Sequence, residues 1–154
     1  MFRYQIIIEY DGTDFVGWQS QNNGKSIQRE IEKILSKILK NKIKIYGSGR
    51  TDAGVHAINQ SAHFDNNNNI LNKNKFISSV NYFLNKKNIS IKKIIKKNNK
   101  FHARFSAKDR EYKYIILNRN APPILDKNKV WYLRSKLDLK LLNKSAKKLI
   151  GKHN

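Results

Sequence analysis

The chain contains no cysteine, only two prolines and only 11 acidic residues among its 154 residues. Without cysteine, a disulfide framework and a thiolate metal site are both excluded. No apolar run approaches the roughly 20 residues that a membrane-spanning helix needs, and the first residues lack a signal-peptide pattern. We therefore expect a protein with no membrane association, in a reducing, cytoplasmic setting, with one domain or slightly more.

The shortage of acidic residues leaves a strongly basic chain, with 32 lysines and arginines and a net charge of +21. Such a balance favours a polyanionic partner, above all a nucleic acid. The same bias, which is rich in Lys, Asn and Ile and includes few arginines, is also what an AT-rich coding sequence would produce. Charge therefore indicates nucleic-acid binding without deciding it.

The first 99 residues show the pattern of a small sheet packed against two helices. Ser26 is a suitable N-cap for a helix whose apolar face runs from Ile27 to Leu39. Phe76 and Leu84 bracket a second, shorter apolar face. Four strands are predicted from β-branched and aromatic content: Arg3–Tyr10, Lys42–Tyr46, Asn59–Asp65 and Ile89–Ile95. The order β-α-β-β-α-β predicts a ferredoxin-like α/β (α+β) domain over 1–99, with a mixed, mostly antiparallel sheet and both helices on one face.

Residues 100–154 carry too few elements for a complete second domain. After a basic linker, the sequence predicts strands at Glu111–Asn118 and Val130–Leu133. A last helix is predicted to start after Asp138 and to place Gly151 at its C′ position. Two strands and one helix do not make a complete layer. We therefore expect 100–154 to be the beginning of a second, truncated α/β domain.

The connection between the second and third predicted strands, Gly47–Ala57, has an unusual composition. Three glycines in eight residues allow close backbone approach or positive φ, and Arg50 and Asp52 stand two positions apart among them. One interpretation is an elaborate turn. The other is a site in which Arg50 and the loop amides hold an ionised, outward-pointing Asp52 that acts as nucleophile or base. The residues alone leave both open; Phe15 and Trp18 are expected to pack in the core near this site.

Other loop chemistries do not fit this stretch. The glycine spacing misses that of a dinucleotide-binding loop, because Asp52 stands at the third glycine position. Val55 and His56 stand where a phosphate-binding P-loop needs Lys and Ser or Thr. A hydrolase triad usually draws on separate segments, whereas Ser48, Asp52 and His56 share one loop. The four histidines of the chain have no metal-ligand spacing, so no metal site is predicted.

The stretch Gly49–Ala57 (GRTDAGVHA) resembles the active-site motif of the tRNA pseudouridine synthase A family. Further blocks resemble that family along essentially the whole chain: Tyr10–Gly12, Gly17–Gln19, Phe101–Ala107, Arg110–Tyr114 and Leu149–Gly151. The resemblance implies a pseudouridine synthase fold and conversion of uridine to pseudouridine at positions 38, 39 and 40 of the tRNA anticodon arm. It also implies that the reaction needs no metal or cofactor. The resemblance further implies a homodimer in which both subunits contact one tRNA.

Residue by residue, the resemblance makes Asp52 the catalytic aspartate and gives Arg50 a part in displacing the target nucleotide. It assigns Tyr112 to packing on the flipped uracil, where an aromatic ring gives an extruded base a stacking surface. Without the resemblance, strand alternation would make Tyr112 a core residue of a sheet face. Four further side chains are predicted to contact RNA: His56, His102, Arg104 and Arg110.

The resemblance also predicts a part that the 154 residues do not contain. The family has about as much chain again after the block Leu149–His153, and that part carries the basic residue that pairs with the catalytic aspartate and one wall of the RNA cleft. Two alternatives to an active enzyme follow. One is a non-catalytic RNA-binding module, although no segment matches an RNP1-like strand. The other is an inactive fragment that lacks the C-terminal half.

Overall fold

The computed structural model describes residues 1–22 and 24–153; Asn23 and Asn154 lie outside the described residues. The chain forms two compact units, Met1–Arg110 and Glu111–Asn154. The elements of the first unit are the strands β1 (Phe2–Tyr10), β2 (Ile45–Gly47), β3 (Ala57–Asn66) and β4 (Ile89–Lys97), and the helices α1 (Ile27–Leu39) and α2 (Lys73–Leu84). The elements of the second are the strands β5 (Ile116–Asn118) and β6 (Trp131–Leu133) and the helix α3 (Leu139–Ala146).

The first unit has the predicted β-α-β-β-α-β order, which confirms the ferredoxin-like fold. Its sheet order is β2-β3-β1-β4, and each neighbouring pair is antiparallel. The central strand β1 pairs along nearly its whole length with both β3 and β4. The edge strand β2 is shorter than predicted, because the Ile43 amide donates to Ser36 Oγ (2.9 Å) rather than to β3. The loop that follows β2 therefore starts from a short, well-defined edge strand.

Both helices of the first unit bury one apolar face against the same side of the sheet. The α1 N-terminus is capped by Ser26, whose Oγ accepts from the Arg29 amide (3.4 Å), as predicted. Its buried residues, together with those of α2 and the alternate residues of β1, form one core: Ile27, Ile31, Ile34 and Leu35; Phe76, Val80 and Leu84; Tyr4, Ile6, Ile8 and Tyr10. Among the residues that the structure describes, no helix has the length and apolarity needed to cross a membrane.

The segment after β4 docks on the other side of the sheet. Arg3 forms a bidentate pair with Asp65 (2.7 and 2.8 Å) and also donates to the Phe101 carbonyl (2.9 Å). His63, which points away from the helices, is nevertheless only 1% exposed, and its Nδ1 accepts from the Ala103 amide (3.1 Å). These contacts explain why the first compact unit extends to residue 110, whereas the division at residues 99 and 100 stays a prediction about the whole protein.

The second unit contains no buried residue within its described part, 111–153. The prediction of a strand over Glu111–Asn118 is wrong for its first five residues, and Tyr112 is 64% exposed. The physical reason is that β5 pairs in parallel with β6 over three residues only. A strand extends only as far as a neighbouring strand can accept hydrogen bonds from its amides.

The last helix begins as the sequence predicts and ends earlier. Asp138 Oδ1 accepts from the Lys140 and Leu141 amides (2.9 and 3.1 Å), which confirms the N-cap. The helix ends at Ala146 and continues as one 3-10 turn to Leu149. Gly151 therefore does not sit at the C′ position of α3, although its positive φ of 123° suits a glycine.

The buried His63 predicts how the stability of the chain depends on pH. Burial, reinforced by the electrostatic influence of His102 and Arg3, lowers the pKa of His63 to about 4 from 6.5. As the pH falls from 6.5 to 4, His63 binds a proton in the unfolded chain but stays neutral in the folded chain. The free energy of unfolding should therefore fall by up to about 1.4 kcal/mol per pH unit in this window from His63 alone.

Urea unfolding at pH values between 7 and 4 measures this slope. His63→Asn, which can still accept from the Ala103 amide, should flatten it, whereas the same change at the exposed His153 should leave it unaltered. The Arg3 hydrogen bond lowers the pKa of Asp65 below its ordinary 3.8, so the loss of its contribution begins only at the acid end of this range; because Asp65 is present in every variant, it does not affect the comparison. An unchanged slope in His63→Asn would contradict the assignment.

Candidate active site

The loop between β2 and β3, residues 48–56, is fixed at its first arm by side chains from distant segments. The Ser48 amide donates to the Ser61 carbonyl (2.7 Å), and Gln60 Nε2 donates to the Gly49 carbonyl (2.7 Å). The Arg110 guanidinium donates to the Ser48 carbonyl through Nη2 (2.8 Å) and Nε (3.3 Å). Both carbonyls at the start of the loop are thus capped, so this arm cannot shift without breaking hydrogen bonds.

The second arm is tied to the segment that follows β1. The Trp18 amide donates to the Thr51 carbonyl (2.9 Å), and the Gly54 amide donates to the Phe15 carbonyl (3.3 Å). Tyr10 Oη and Thr51 Oγ1 share a hydrogen bond of 2.8 Å. Phe15 and Trp18 are 6% and 2% exposed, which confirms that they pack in the core. We call this set of contacts the 15–18/51–54 clamp.

One glycine makes the clamp possible. Gly17 has a φ of +111°, a conformation that L side chains rarely adopt, and a Cβ added there would lie 2.6 Å from the Thr51 carbonyl oxygen. At position 17, no amino acid with a side chain fits between the two segments at this spacing. Gly54 also has a positive φ of 77°, but a Cβ there would meet no atom within 4 Å.

The clamp leaves Asp52 exposed on a backbone that is fixed on both sides. The Val55 amide donates to the Asp52 carbonyl (3.2 Å), closing a tight turn immediately after the Thr51 anchor. Within residues 1–22 and 24–153, no hydrogen bond or ion pair joins the Asp52 carboxylate to another side chain, including Arg50. Direct pairing with Arg50 therefore does not orient Asp52; the backbone of the loop does, and the carboxylate faces solvent where a ligand can reach it.

The other predicted site residues have different surroundings. Arg50 and Arg104 are exposed, and Tyr112 is exposed in the second unit. His56 Nδ1 lies 3.1 Å from Asp11 Oδ1 and 3.2 Å from the Gly12 amide, so this imidazole holds the loop against the end of β1.

Two of the predicted RNA contacts have a structural partner as well. Arg110 caps the Ser48 carbonyl, as described above, and the His102 ring packs against His63, with centroids 4.6 Å apart. Sequence reasoning missed Gln60, whose contact depends on the path of the loop, and the burial of His63, which depends on a segment 40 residues away.

This loop lies inside the part of the chain that matches a known protein family. The family model described as tRNA pseudouridine synthase matches residues 6–106, which include the loop, the clamp and the docked segment after β4. The chain belongs to the tRNA pseudouridine synthase family. The resemblance that the loop motif suggested is thereby confirmed.

Three curated relatives of this family, each called tRNA pseudouridine synthase A, match almost the whole chain. The protein of Pelagibacter ubique is 58% identical over 151 residues, which is 98% of this chain and 61% of the relative. The proteins of Neorickettsia sennetsu and Ehrlichia ruminantium are 45% and 44% identical to this chain. In both cases the match includes 99% of this chain, and it spans 63% of the first relative and 62% of the second. The chain thus spans a little over three fifths of the length of these relatives.

The clamp predicts that two glycine substitutions differ in cost. Gly54→Ala should lower the free energy of unfolding by about 1 kcal/mol, the cost of a left-handed backbone with a side chain. Gly17→Ala should lower it by about 3 kcal/mol, because its Cβ also collides with the Thr51 carbonyl. Urea unfolding of the two variants checks the difference. Equal losses, or a smaller loss for Gly17→Ala, would show that the 15–18/51–54 clamp does not exist as described.

Proposed function

We propose that this protein, as part of a polypeptide of its relatives' length, isomerises uridine to pseudouridine in tRNA, at positions 38, 39 and 40 of the anticodon arm. The observation that carries the proposal is the uncommitted carboxylate of Asp52, held outward on a loop that is anchored on both arms. A preorganised group of this kind costs little further ordering when a substrate binds. The loop also lies inside the region that matches the family.

The reaction requires one carboxylate, and no group is oxidised or hydrolysed. The bond between N1 and C1′ of the nucleotide breaks, the uracil turns, and a bond between C5 and C1′ forms. The hydrogen at C5 leaves as a proton and N1 gains one, so atoms and electrons balance without a co-reactant. Asp52 can act as the nucleophile at C1′ or as the base that allows a glycal to form.

The remaining residues of the proposal act on the nucleotide rather than on its bonds. A base inside a stacked arm is out of reach, so the nucleotide must leave the stack before reaction. Arg50, exposed two residues before Asp52, is proposed to occupy the space that the nucleotide vacates and to hold its phosphate. Tyr112, whose exposed ring is free to meet a base, is proposed to stack on the extruded uracil.

The partner and setting follow the same proposal. The net charge of +21 supports a polyanionic substrate such as tRNA, because phosphate contacts supply most of the affinity for nucleic acids. We propose that the protein acts in the cytoplasm as a homodimer, in which both subunits contact one tRNA. The cation that the family places opposite its catalytic aspartate is expected in the part of the relatives that this chain does not cover.

The proposal predicts the effect of Asp52→Asn, which keeps the size of the side chain and removes the carboxylate. The test protein is this chain fused to the part of the Pelagibacter ubique relative that it does not cover. Turnover of an unmodified tRNA transcript should fall at least about a thousandfold, because the reacting group is lost. Affinity for the tRNA should change by less than about twofold, since no phosphate contact is removed.

The matched control is Asp14→Asn, another exposed carboxylate near the loop, which should keep full turnover. Pseudouridine mapping at each uridine measures turnover, and filter binding measures affinity. Retained turnover in Asp52→Asn would overturn the catalytic role. Tight tRNA binding without pseudouridine in the unsubstituted fusion would instead favour the non-catalytic RNA-binding module.

A further inference from the structure

A row of three rings runs away from the start of the active-site loop. Tyr46, the residue before Gly47, lies with its ring centroid 5.9 Å from that of His102, and His102 lies 4.4 Å from Phe105. Tyr46 is 49% exposed and Phe105 is 79% exposed. We call Tyr46, His102 and Phe105 the ring row. Large exposed rings placed side by side on a monomer usually mark a contact surface.

The ring row is held in place from beneath. The buried His63 ring stacks on Tyr46 (centroids 5.1 Å apart, planes at 24°) and contacts His102 edge-on. The turn that carries His102 and Phe105 is closed by two hydrogen bonds: the Ser106 amide donates to the His102 carbonyl (2.7 Å), and the His102 amide donates to Ser106 Oγ (3.1 Å). The rings are therefore ordered before any ligand arrives, so a ligand that stacks on them does not have to order them.

The surroundings of the ring row are basic. Arg104 is exposed between His102 and Phe105, and Arg110 Nη2 lies 3.5 Å from the Arg104 carbonyl oxygen. On the same side of the sheet, the carboxylate of Asp65 is already paired with Arg3. Flat aromatic and imidazole faces on a segment that also carries Arg104 match a nucleobase and its phosphate better than they match an aliphatic protein surface.

We propose that the ring row binds an unpaired nucleobase of the RNA substrate by stacking. The inference deepens the proposed function and rests on it for the identity of the RNA. Because the row begins at Tyr46, directly before the loop that carries Asp52, the stacked base is a neighbour of the reacting nucleotide rather than that nucleotide itself. Paired bases have both faces covered, so the row selects single-stranded loop nucleotides over duplex.

The test uses the fusion protein described for the proposed function, with Asp52 unsubstituted, and a hairpin RNA of the anticodon arm with 2-aminopurine at each loop position in turn. Binding of the unsubstituted fusion should quench 2-aminopurine at one or two loop positions. Phe105→Leu, which stays apolar but loses the ring, should weaken binding about tenfold and abolish that quenching. Phe105→Trp, which keeps a flat ring, should retain both.

Two comparisons separate stacking from charge and from general damage. Arg104→Gln should reduce the slope of log affinity against log salt by about one, whereas Phe105→Leu should leave the slope unaltered. Tyr82→Leu is the matched control, because Tyr82 is 65% exposed on α2, away from the row, and its loss should not change binding. Thermal unfolding of each variant confirms that the fold is intact.

The proposal is overturned by any of three results. These are no detectable binding of the hairpin, unaltered binding and quenching in Phe105→Leu, or equal weakening by Phe105→Leu and Tyr82→Leu. A change of oligomeric state in Phe105→Leu at unaltered RNA affinity would assign the row to a protein partner instead. None of these readouts depends on pseudouridine formation, so the proposed reaction and the ring row can fail independently.

Discussion

The hydrogen bond between the Trp18 amide and the Thr51 carbonyl is the contact on which the loop that carries Asp52 depends. It joins a segment that leaves the central strand to a loop that leaves the edge strand, and Gly17 is the residue that lets the two backbones come this close. The buried ring of Trp18 anchors the first segment in the core. The position of Asp52 is therefore a consequence of core packing, transmitted through the backbone.

This arrangement separates the Asp52 carboxylate from the groups that position it. An ion pair with Arg50 would orient the carboxylate but would also occupy it, whereas backbone anchors on either side leave it uncommitted. Arg110 and Gln60 also leave the carboxylate uncommitted, because they donate hydrogen bonds to loop carbonyls. A ligand that reached this loop would meet a carboxylate with no competing partner among the described residues, on a loop whose backbone is already held in place.

Local periodicity was enough to predict the fold of the first unit. The apolar spacing in α1, its Ser26 cap and the alternation in β1 are properties of neighbouring residues, and the structure confirms them. The extent of β5 was mispredicted, because strand length depends on a partner that periodicity cannot identify. The burial of His63 was missed for a related reason: alternation places it on the face away from the helices, where Tyr46 and the docked segment after β4 cover it. The loop motif made this loop the candidate site, but the clamp joins segments more than 30 positions apart, and neither segment alone predicts it.

Amide hydrogen exchange of the 154-residue chain, free of RNA, tests most directly whether the loop is fixed before any substrate binds. The account predicts that the amides of Trp18, Ser48 and Gly54 exchange at least about a hundredfold more slowly than in an unstructured peptide, as amides of the central strand do. Exchange at the peptide rate at these three positions, while the amides of β1 stay protected, would contradict it. The carboxylate of Asp52 would then be carried by a mobile loop, and its orientation could not come from the fold.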